Sequence, residues 1–264
     1  MMEAAEALDL QTGSLAVYSR RAGYKETANE DAAAIIPIAG RGAVLAVADG
    51  IGGLPQGEEA ARVTLETLIE FVSQAESPER LRSAILDAIE AANRRVLALG
   101  GGAGTTLAVA QIIDQRVRTY HVGDSEIFVV GGRGMLKLET IAHGPVAYGV
   151  HSGLIDPIDA LSHENRNLVS NVVGARDMRI ELGPSIKLAQ RDLVLICSDG
   201  ITDNLHSEEL SQLIRGKSPQ EAAACLLQAL QSRREPNFEL DFKEDDATFV
   251  IYRRAARANS VRPG

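Results

Sequence analysis

The order of strand-like and helix-like segments restricts most strongly what this chain can fold into. Near the N-terminus, SLAVYSR alternates apolar and polar residues, while AAAIIPI and AVLAVAD are continuous apolar runs of strand length. Two long segments with helical spacing follow, then a second block of strands, then two helices and a last strand, DDATFVIYRR. Because strands and helices come in blocks without strict alternation, the sequence favours an α+β fold with antiparallel sheets over a doubly wound parallel sheet.

The domain organisation is predicted to be simple. Residues 14–253 contain no linker and no repeat, and we interpret them as one domain. Residues 1–13 are predicted to be a loose lead-in, and residues 254–264 a flexible tail. A hydrophobic content of 45% in 264 residues is enough for a sizeable core, which must be mainly aliphatic because aromatic residues make up only 4%.

Charge and composition exclude some classes of partner. The net charge of −9 argues against nucleic acids and anionic membranes, because both require a basic face. The N-terminus lacks a basic start with an apolar stretch of signal length, and no apolar run approaches the ~20 residues that would span a membrane. The two cysteines, Cys197 and Cys225, have no metal-type spacing. These features predict a cytoplasmic protein, with Cys197 as a small core residue.

Carboxylates lie at the ends of several predicted strands. They are Glu30 and Asp31 at a strand start, Asp49 and Asp199 at strand ends before glycine, Asp245 and Asp246 before the last strand, and Asp124 in a turn between strands. Any one of them could be an ordinary turn or helix-cap residue. If several converge at one sheet edge, they repel one another unless cations lie among them. Oxygen ligands without histidine or cysteine favour Mg²⁺ or Mn²⁺ over Zn²⁺.

The glycine-rich stretch after Asp49 has two interpretations. Gly50 would let a main-chain carbonyl or a metal-bound water come close to the ligand, because glycine has no Cβ, and residues 50–53 would turn tightly beneath the metal. Alternatively, the stretch could bind a phosphate. It lacks both the G-x-x-x-x-G-K-[ST] lysine and the G-x-G-x-x-G spacing, so a nucleotide loop is disfavoured.

Six short stretches in register carry a family resemblance that spans Asn29 to Val250. They are NEDA, VADGIGGLPQGEEAA, GTTLAVA, HVGDS, LVLICSDGITD and DDATFV. Together they resemble the metal-dependent protein phosphatases, the PPM or type 2C serine/threonine phosphatases, and the segment from HGPVAYG onward resembles the flap of bacterial members. The resemblance implies a four-layer α-β-β-α sandwich of two antiparallel sheets flanked by helices, with a metal centre at one edge of the sheets.

The resemblance also implies a role for each matched residue. Asp49 corresponds to the carboxylate that bridges two metals, and Asp31 to a neighbour that holds a metal-bound water. The other implied metal ligands are Glu30 and the carbonyl of Gly50 for one ion, Asp199 and Asp245 for the second, and Asp124 for a third, weaker ion. The implied cofactors are therefore two or three Mn²⁺ or Mg²⁺ ions. Asp246 stands where the family usually has asparagine, and the sequence suggests no role for it.

Two positions depart from the family pattern. Glu26 stands where the family commonly has an arginine that binds the substrate phosphate, and the neighbouring Lys25 is the candidate to bind it instead, as a point charge. Glu126 replaces the arginine of the family's GDSR, although it could simply be exposed. Both changes remove positive charge, so we expect them to affect substrate affinity more than catalysis.

The predicted activity is hydrolysis of phosphoserine and phosphothreonine in proteins by direct attack of a metal-bridging water. His143 and His121 are candidate general acids, although a lone histidine is more often structural. The expected partner is a phosphorylated protein, and a cognate serine/threonine kinase is a further one. Two alternatives stay open: a catalytically weak regulatory or phosphopeptide-binding domain of the same fold, and a different two-metal hydrolase such as a nuclease. The acidic charge disfavours the nuclease.

Overall fold

The computed structural model describes residues 2, 4–51, 56–235 and 242–255. The strands are β1 Glu6–Leu10, β2 Gly13–Arg20, β3 Asp31–Ile38, β4 Gly42–Asp49, β5 Leu107–Ile113, β6 Arg116–Val122, β7 Glu126–Val130, β8 Leu136–Glu139, β9 Glu181–Leu182, β10 Ile186–Lys187, β11 Leu193–Cys197 and β12 Ala247–Arg254. The α-helices are α1 Gly57–Ser73, α2 Leu81–Leu99, α3 Pro145–His151, α4 Pro157–Ala160, α5 Asp199–Thr202, α6 Ser207–Ile214 and α7 Pro219–Arg233, and a 3₁₀ turn at Pro78–Arg80 leads into α2.

The strands form two six-stranded sheets, and every pairing between them is antiparallel. The first sheet has the order β1-β2-β12-β11-β7-β8, and the second has the order β10-β6-β5-β4-β3 with β9 also paired to β6. Pro37 lies on β3 at the edge of the second sheet, where its missing N–H is tolerated. This arrangement confirms the predicted α+β class.

The layers are held together by three apolar clusters. Leu45 and Ile196 belong to the cluster between the two sheets, which explains why β4 and β11 are apolar along almost their whole length. Ile85 of α2 packs with α1 on the outer face of the second sheet, and Leu226 of α7 packs on the outer face of the first. The result is the predicted α-β-β-α sandwich.

Local sequence signals fix the helix starts. Ser218 accepts a hydrogen bond from the N–H of Glu221, and the Glu221 carboxylate accepts one from the N–H of Ser218, so α7 begins with a complete capping box followed by Pro219. Cys197 is fully buried in the apolar cluster of the first sheet, as predicted.

Two details concern the chain ends. Residues 6–10, expected within a loose lead-in, form β1 and pair with β2 over the register Glu6↔Val17 to Leu10↔Gly13, so that expectation is wrong for this stretch. The last strand continues to Arg254, and residues 256–264 of the predicted tail lie outside the described residues. Within the described ranges, no helix is both long enough and apolar enough to cross a membrane.

Candidate metal centre

Carboxylates from both sheets converge at one end of the sandwich. Asp31 and Asp49 are register partners on the paired strands β3 and β4. Asp199 begins α5 directly after β11, and β11 pairs with β12, which Asp245 precedes. We call this group the acidic edge; it consists of Glu30, Asp31, Asp49, Asp124, Asp199, Asp203, Asp245 and Asp246. The strand-end acids singled out from the sequence therefore lie near one another at this edge, and their roles as metal ligands stay predictions.

Two lysines lie among these carboxylates. Lys25 Nζ is 3.0 Å from an oxygen of Glu30 and 3.4 Å from Asp245 Oδ1. Lys243 Nζ is 2.8 Å from Asp199 Oδ2 and 3.5 Å from Asp245 Oδ2, and it also pairs with Asp203. Asp245 therefore lies between the two lysines. These contacts bring Glu30, Asp245 and Asp199, three of the predicted ligands, into one continuous cluster.

The two lysines do not neutralise the deeper carboxylates. Burial and then repulsion from Asp199 raise the pKa of Asp31 to about 7. Burial, followed by repulsion from Asp31, Asp199 and Asp124, raises the pKa of Asp49 well above its ordinary value. Burial and the charges of Asp199 and Asp203 raise the pKa of Asp124 to about 8. The acidic edge therefore carries an excess of negative charge, which a bound cation would neutralise.

The donor atoms at the acidic edge fit Mg²⁺ or Mn²⁺. Asp31 Oδ2 accepts a 2.7 Å hydrogen bond from Ser198 Oγ, whereas its Oδ1 is buried without a hydrogen-bond partner among the described residues. A buried carboxylate oxygen in this state costs free energy unless a cation or a water satisfies it. Since all the candidate donors are hard oxygens, the chemistry of the set suits Mg²⁺ or Mn²⁺.

The main chain of Asp49 is fixed by the GTT motif. Its N–H donates to Thr106 Oγ1 at 3.1 Å, and its carbonyl accepts from the Thr106 N–H and the Thr105 hydroxyl, both at 2.8 Å. Thr106 Oγ1 also lies 2.6 Å from Ser125 Oγ in the GDS motif. The two motifs are therefore hydrogen-bonded to each other, and the GTT motif fixes the main chain from which the Asp49 carboxylate projects.

The glycines after the two strand-end aspartates are required by close chain packing. A Cβ on Gly50 would lie 2.3 Å from the carbonyl oxygen of Gly57, and one on Gly57 would lie 2.7 Å from Glu30 Oε1. A Cβ on Gly200 would lie 2.0 Å from the carbonyl oxygen of Asp246. Glycine is thus needed for the approach of neighbouring segments. Residues 52 and 53, half of the predicted tight turn over residues 50–53, lie outside the described residues.

Asp246 organises the loop that carries Glu30. Its carboxylate accepts 2.8 Å hydrogen bonds from the N–H groups of Ala22 and Glu30, and Lys25 Nζ lies 3.0 Å from it. It is 2% exposed. Asparagine could accept only through its single carbonyl oxygen, whereas the carboxylate uses both oxygens here. Asp246 therefore has a positioning role that the sequence did not reveal.

The two departures from the family pattern lie in different surroundings. Glu26 is exposed. Lys25, the candidate phosphate ligand, already contacts carboxylates. Burial alone would lower the pKa of Lys25, but the interactions with Glu30 and Asp246 outweigh it, so the pKa is raised. Glu126 is partly buried and faces a cavity, so the alternative that it is simply exposed is wrong. Substrate binding by Lys25 stays a prediction.

The two candidate general acids are held at the base of the flap. His143 Nδ1 accepts the Gly123 N–H at 3.0 Å, so the neutral ring carries its proton on Nε2, 3.1 Å from a Glu181 oxygen. His121 Nε2 donates to the Ile141 carbonyl at 3.0 Å, and the two rings stack with centroids 4.5 Å apart. With Glu181 they form a group close enough to hold a metal ion. However, the protonated Nε2 of His143 offers no lone pair, so these contacts favour a structural role.

The sequence did not identify two residues of this site: Asp203, a member of the acidic edge, and Lys243, which pairs with it. Asp203 lies four residues after Asp199, a spacing that places two side chains on one helical face, and burial with repulsion from Asp199 raises its pKa to about 7. Lys243 lies two residues before Asp245. The helical spacing could have identified Asp203, whereas nothing in the sequence shows that Lys243 turns back toward Asp199.

Comparison with known proteins places the chain in a family. A family model described as protein phosphatase 2C matches residues 20–232. The protein phosphatase PhpP of Streptococcus pneumoniae is 29% identical over 208 residues, which is 75% of this chain and 82% of PhpP. The crystal structure of the serine/threonine phosphatase Stp1 from Staphylococcus aureus superposes with a TM-score of 0.78 at 23% identity, over 97% of this chain and 98% of Stp1.

A third comparison concerns metals. The catalytic domain of the protein phosphatase PstP in complex with two manganese ions superposes with a TM-score of 0.71 at 24% identity, over 93% of this chain and 99% of that domain. Because the family model covers most of the sequence, this chain belongs to the protein phosphatase 2C family. The resemblance drawn from the six motifs is thereby confirmed.

Proposed function

We propose that this protein is a metal-dependent serine/threonine phosphatase that removes phosphate from phosphoserine and phosphothreonine in proteins. The observation that carries the proposal is the acidic edge, where buried carboxylates with raised pKa values converge in a member of the protein phosphatase 2C family. The two-manganese PstP structure and the name of PhpP support the same conclusion.

Two or three Mn²⁺ or Mg²⁺ ions are the proposed cofactors. Their proposed protein ligands are Glu30, Asp49, the carbonyl of Gly50, Asp199, Asp245 and, for a third ion, Asp124. Bound there, the ions would supply an activated water as the nucleophile and positive charge for the phosphoryl oxygens.

Other residues of the centre hold the proposed ligands and the substrate in place. Asp31, held by Ser198, has a buried carboxylate oxygen free of protein partners among the described residues and is proposed to hold a metal-bound water, and Thr105 and Thr106 hold the strand end that presents Asp49. Lys25 is the proposed contact for the substrate phosphate. We further infer a cytoplasmic location, which the two unpaired cysteines support, and a serine/threonine kinase that acts on the same substrates.

The test is a Mn²⁺ titration with p-nitrophenyl phosphate and a phosphothreonine peptide. Phosphate release from both substrates that rises with Mn²⁺ and stops on chelation is expected. Binding of the peptide without turnover at any Mn²⁺ or Mg²⁺ concentration would instead identify the regulatory alternative. Cleavage of a single-stranded oligonucleotide, with neither phosphate ester hydrolysed, would identify a nuclease.

A further inference from the structure

A second concave site lies beneath the segment that resembles a flap. It is a cavity of about 490 Å³, within the range of small-ligand sites. Ala147 and Val150 of α3 and Pro157 at the start of α4 contribute apolar groups to its lining. Other lining residues belong to β7, β8 and the start of α6. We call this site the flap cavity.

The flap cavity contains two carboxylates, Glu126 on β7 and Glu139 at the end of β8. Two histidines, His151 and His206, line the same cavity. Neither carboxylate forms an ion pair with any residue in the described ranges. A cavity that combines apolar lining with two acids that have no ion-pair partner is complementary to a cation on an aliphatic stem.

The flap cavity lies next to the acidic edge. Thr202 lines it, and Thr202 is the last residue of α5, the helix that begins with Asp199. Three residues of α-helix correspond to a rise of about 4.5 Å. An extended peptide advances about 3.3 Å per residue, so a side chain within two or three positions of a phosphorylated residue could reach the cavity.

The outer surface of the flap is apolar enough to contact a peptide. Tyr148, Leu154 and Ile158 are exposed by 44%, 85% and 54%, and all three belong to α3, α4 or the turn between them. Large exposed apolar residues grouped in one segment are typical of a binding surface. The same segment therefore borders the cavity on one side and presents apolar groups on the other.

We propose that the flap cavity binds a lysine or arginine side chain of the phosphoprotein substrate, located within about three residues of the phosphorylated serine or threonine. Glu126 and Glu139 pair with the cationic group, and the apolar lining packs against its aliphatic stem. Glu126 replaces an arginine of the family pattern, which makes this preference specific to chains with an acid at that position. The inference rests on the proposed phosphatase activity.

The test compares phosphothreonine peptides that differ only in flanking residues, with lysine at positions −2 and +2 or with alanine there. We expect kcat/KM of the wild type to favour the lysine peptide by about fivefold, the order of effect of a half-exposed charge pair. E139Q and E126Q should each reduce that preference, and the double variant should abolish it. Turnover of p-nitrophenyl phosphate should stay unchanged in E139Q, because this substrate has no side chain to enter the cavity.

Controls separate the possible outcomes. E164Q changes an exposed acid of the flap segment that does not line the cavity, so it should keep the wild-type preference. Because E126Q could unfold, its melting temperature is measured, and E139Q provides a second, more exposed position. Equal kcat/KM for both peptides in the wild type, or a preference that survives in the folded double variant, overturns the inference. Failure to hydrolyse even p-nitrophenyl phosphate with Mn²⁺ would instead refute the phosphatase activity, and the inference with it.

Discussion

The acidic edge and the histidine cluster of His121, His143 and Glu181 both gather metal-binding side chains, but their hydrogen bonding differs. At the acidic edge, Asp31 Oδ1 has no partner among the described residues, and burial followed by repulsion from neighbouring acids raises the pKa of Asp49. In the histidine cluster, His143 Nδ1 accepts an N–H and His121 Nε2 donates to a carbonyl, whereas His121 Nδ1 is buried without a partner among the described residues; this cluster has one carboxylate and no group of mutually repelling acids. Proximity of ligands is therefore not enough to identify a metal site, whereas uncompensated charge is informative.

His143 also connects several segments of the chain around the histidine cluster. His143 holds the Gly123 turn, which directly precedes Asp124, and its carbonyl accepts hydrogen bonds from the N–H and hydroxyl of Ser170. Asn171 also contacts His143 Nδ1 at 2.9 Å. The cluster thus connects the segment that resembles a flap to the Gly123 turn.

Asp199→Ala should have the largest effect on activity. It removes a proposed metal ligand and a partner of Lys243, so we expect Mn²⁺-dependent turnover to fall by about 1000-fold, equivalent to roughly 4 kcal/mol of barrier. The measurement is kcat with p-nitrophenyl phosphate at saturating Mn²⁺. Asp177→Ala, at an exposed acid outside the edge, is the matched control. If Asp199→Ala retained a tenth of the wild-type kcat, the assignment of Asp199 as a metal ligand would be wrong.

Asp124→Ala should have an intermediate effect. Asp124 is not needed for the pair of tightly bound ions, so calorimetry should find them retained while turnover falls about tenfold, or roughly 1.4 kcal/mol, and the Mn²⁺ dependence shifts. If Asp124 only stabilises its turn, alanine would instead lower stability by about 1 kcal/mol and leave kcat per folded molecule intact. Full turnover with a lower melting temperature would thus discard the third-ion role.

The stability of the metal-free protein should fall as the pH rises. Asp31, Asp124 and Asp203 have folded-state pKa values of about 7, 8 and 7, all above the ordinary value of 3.8. Between pH 4 and 8 the folded state therefore binds more protons than the unfolded state, and the free energy of unfolding decreases with pH. Melting temperatures in chelator at pH 5 and pH 8 test this, and Mn²⁺ should raise the melting temperature more at pH 8. Equal stability of the chelated protein at pH 5 and pH 8 would contradict the proposed excess of negative charge at the acidic edge.

His143→Gln should have the smallest effect on activity. Glutamine cannot reproduce the ring contacts, and the Gly123 N–H and Asn171 amide lose a buried acceptor, so we expect a loss of about 1–3 kcal/mol of stability by urea unfolding. Turnover per folded molecule and Mn²⁺ affinity should remain close to those of the wild type. A tenfold loss of kcat in the folded variant would restore His143 as a candidate general acid and weaken the contrast between the two clusters.

The sequence predicted those features that depend on strand ends. The carboxylates Asp49, Asp199 and Asp245 adjoin recognisable strands, so their convergence followed once the sheets were antiparallel. By contrast, the positions of Lys25 and Lys243 are set by loops whose paths depend on tertiary packing, and local patterns do not encode them. The role of Asp246 was hidden for the same reason, because its partners are main-chain N–H groups distant in sequence. Strand β1 was missed because its five residues are mostly exposed and carry little apolar signal.

The central claim is that the acidic edge, and not the histidine cluster, binds the divalent ions. The most direct measurement is a calorimetric titration of Mn²⁺ into the wild type, Asp49→Asn and His143→Gln at pH 8, with folding verified by circular dichroism. We predict two tightly bound ions in the wild type and in His143→Gln, and loss of tight binding in Asp49→Asn, which keeps the side-chain shape but removes the charge. Unchanged binding in Asp49→Asn, or loss of an ion in His143→Gln, would contradict the account.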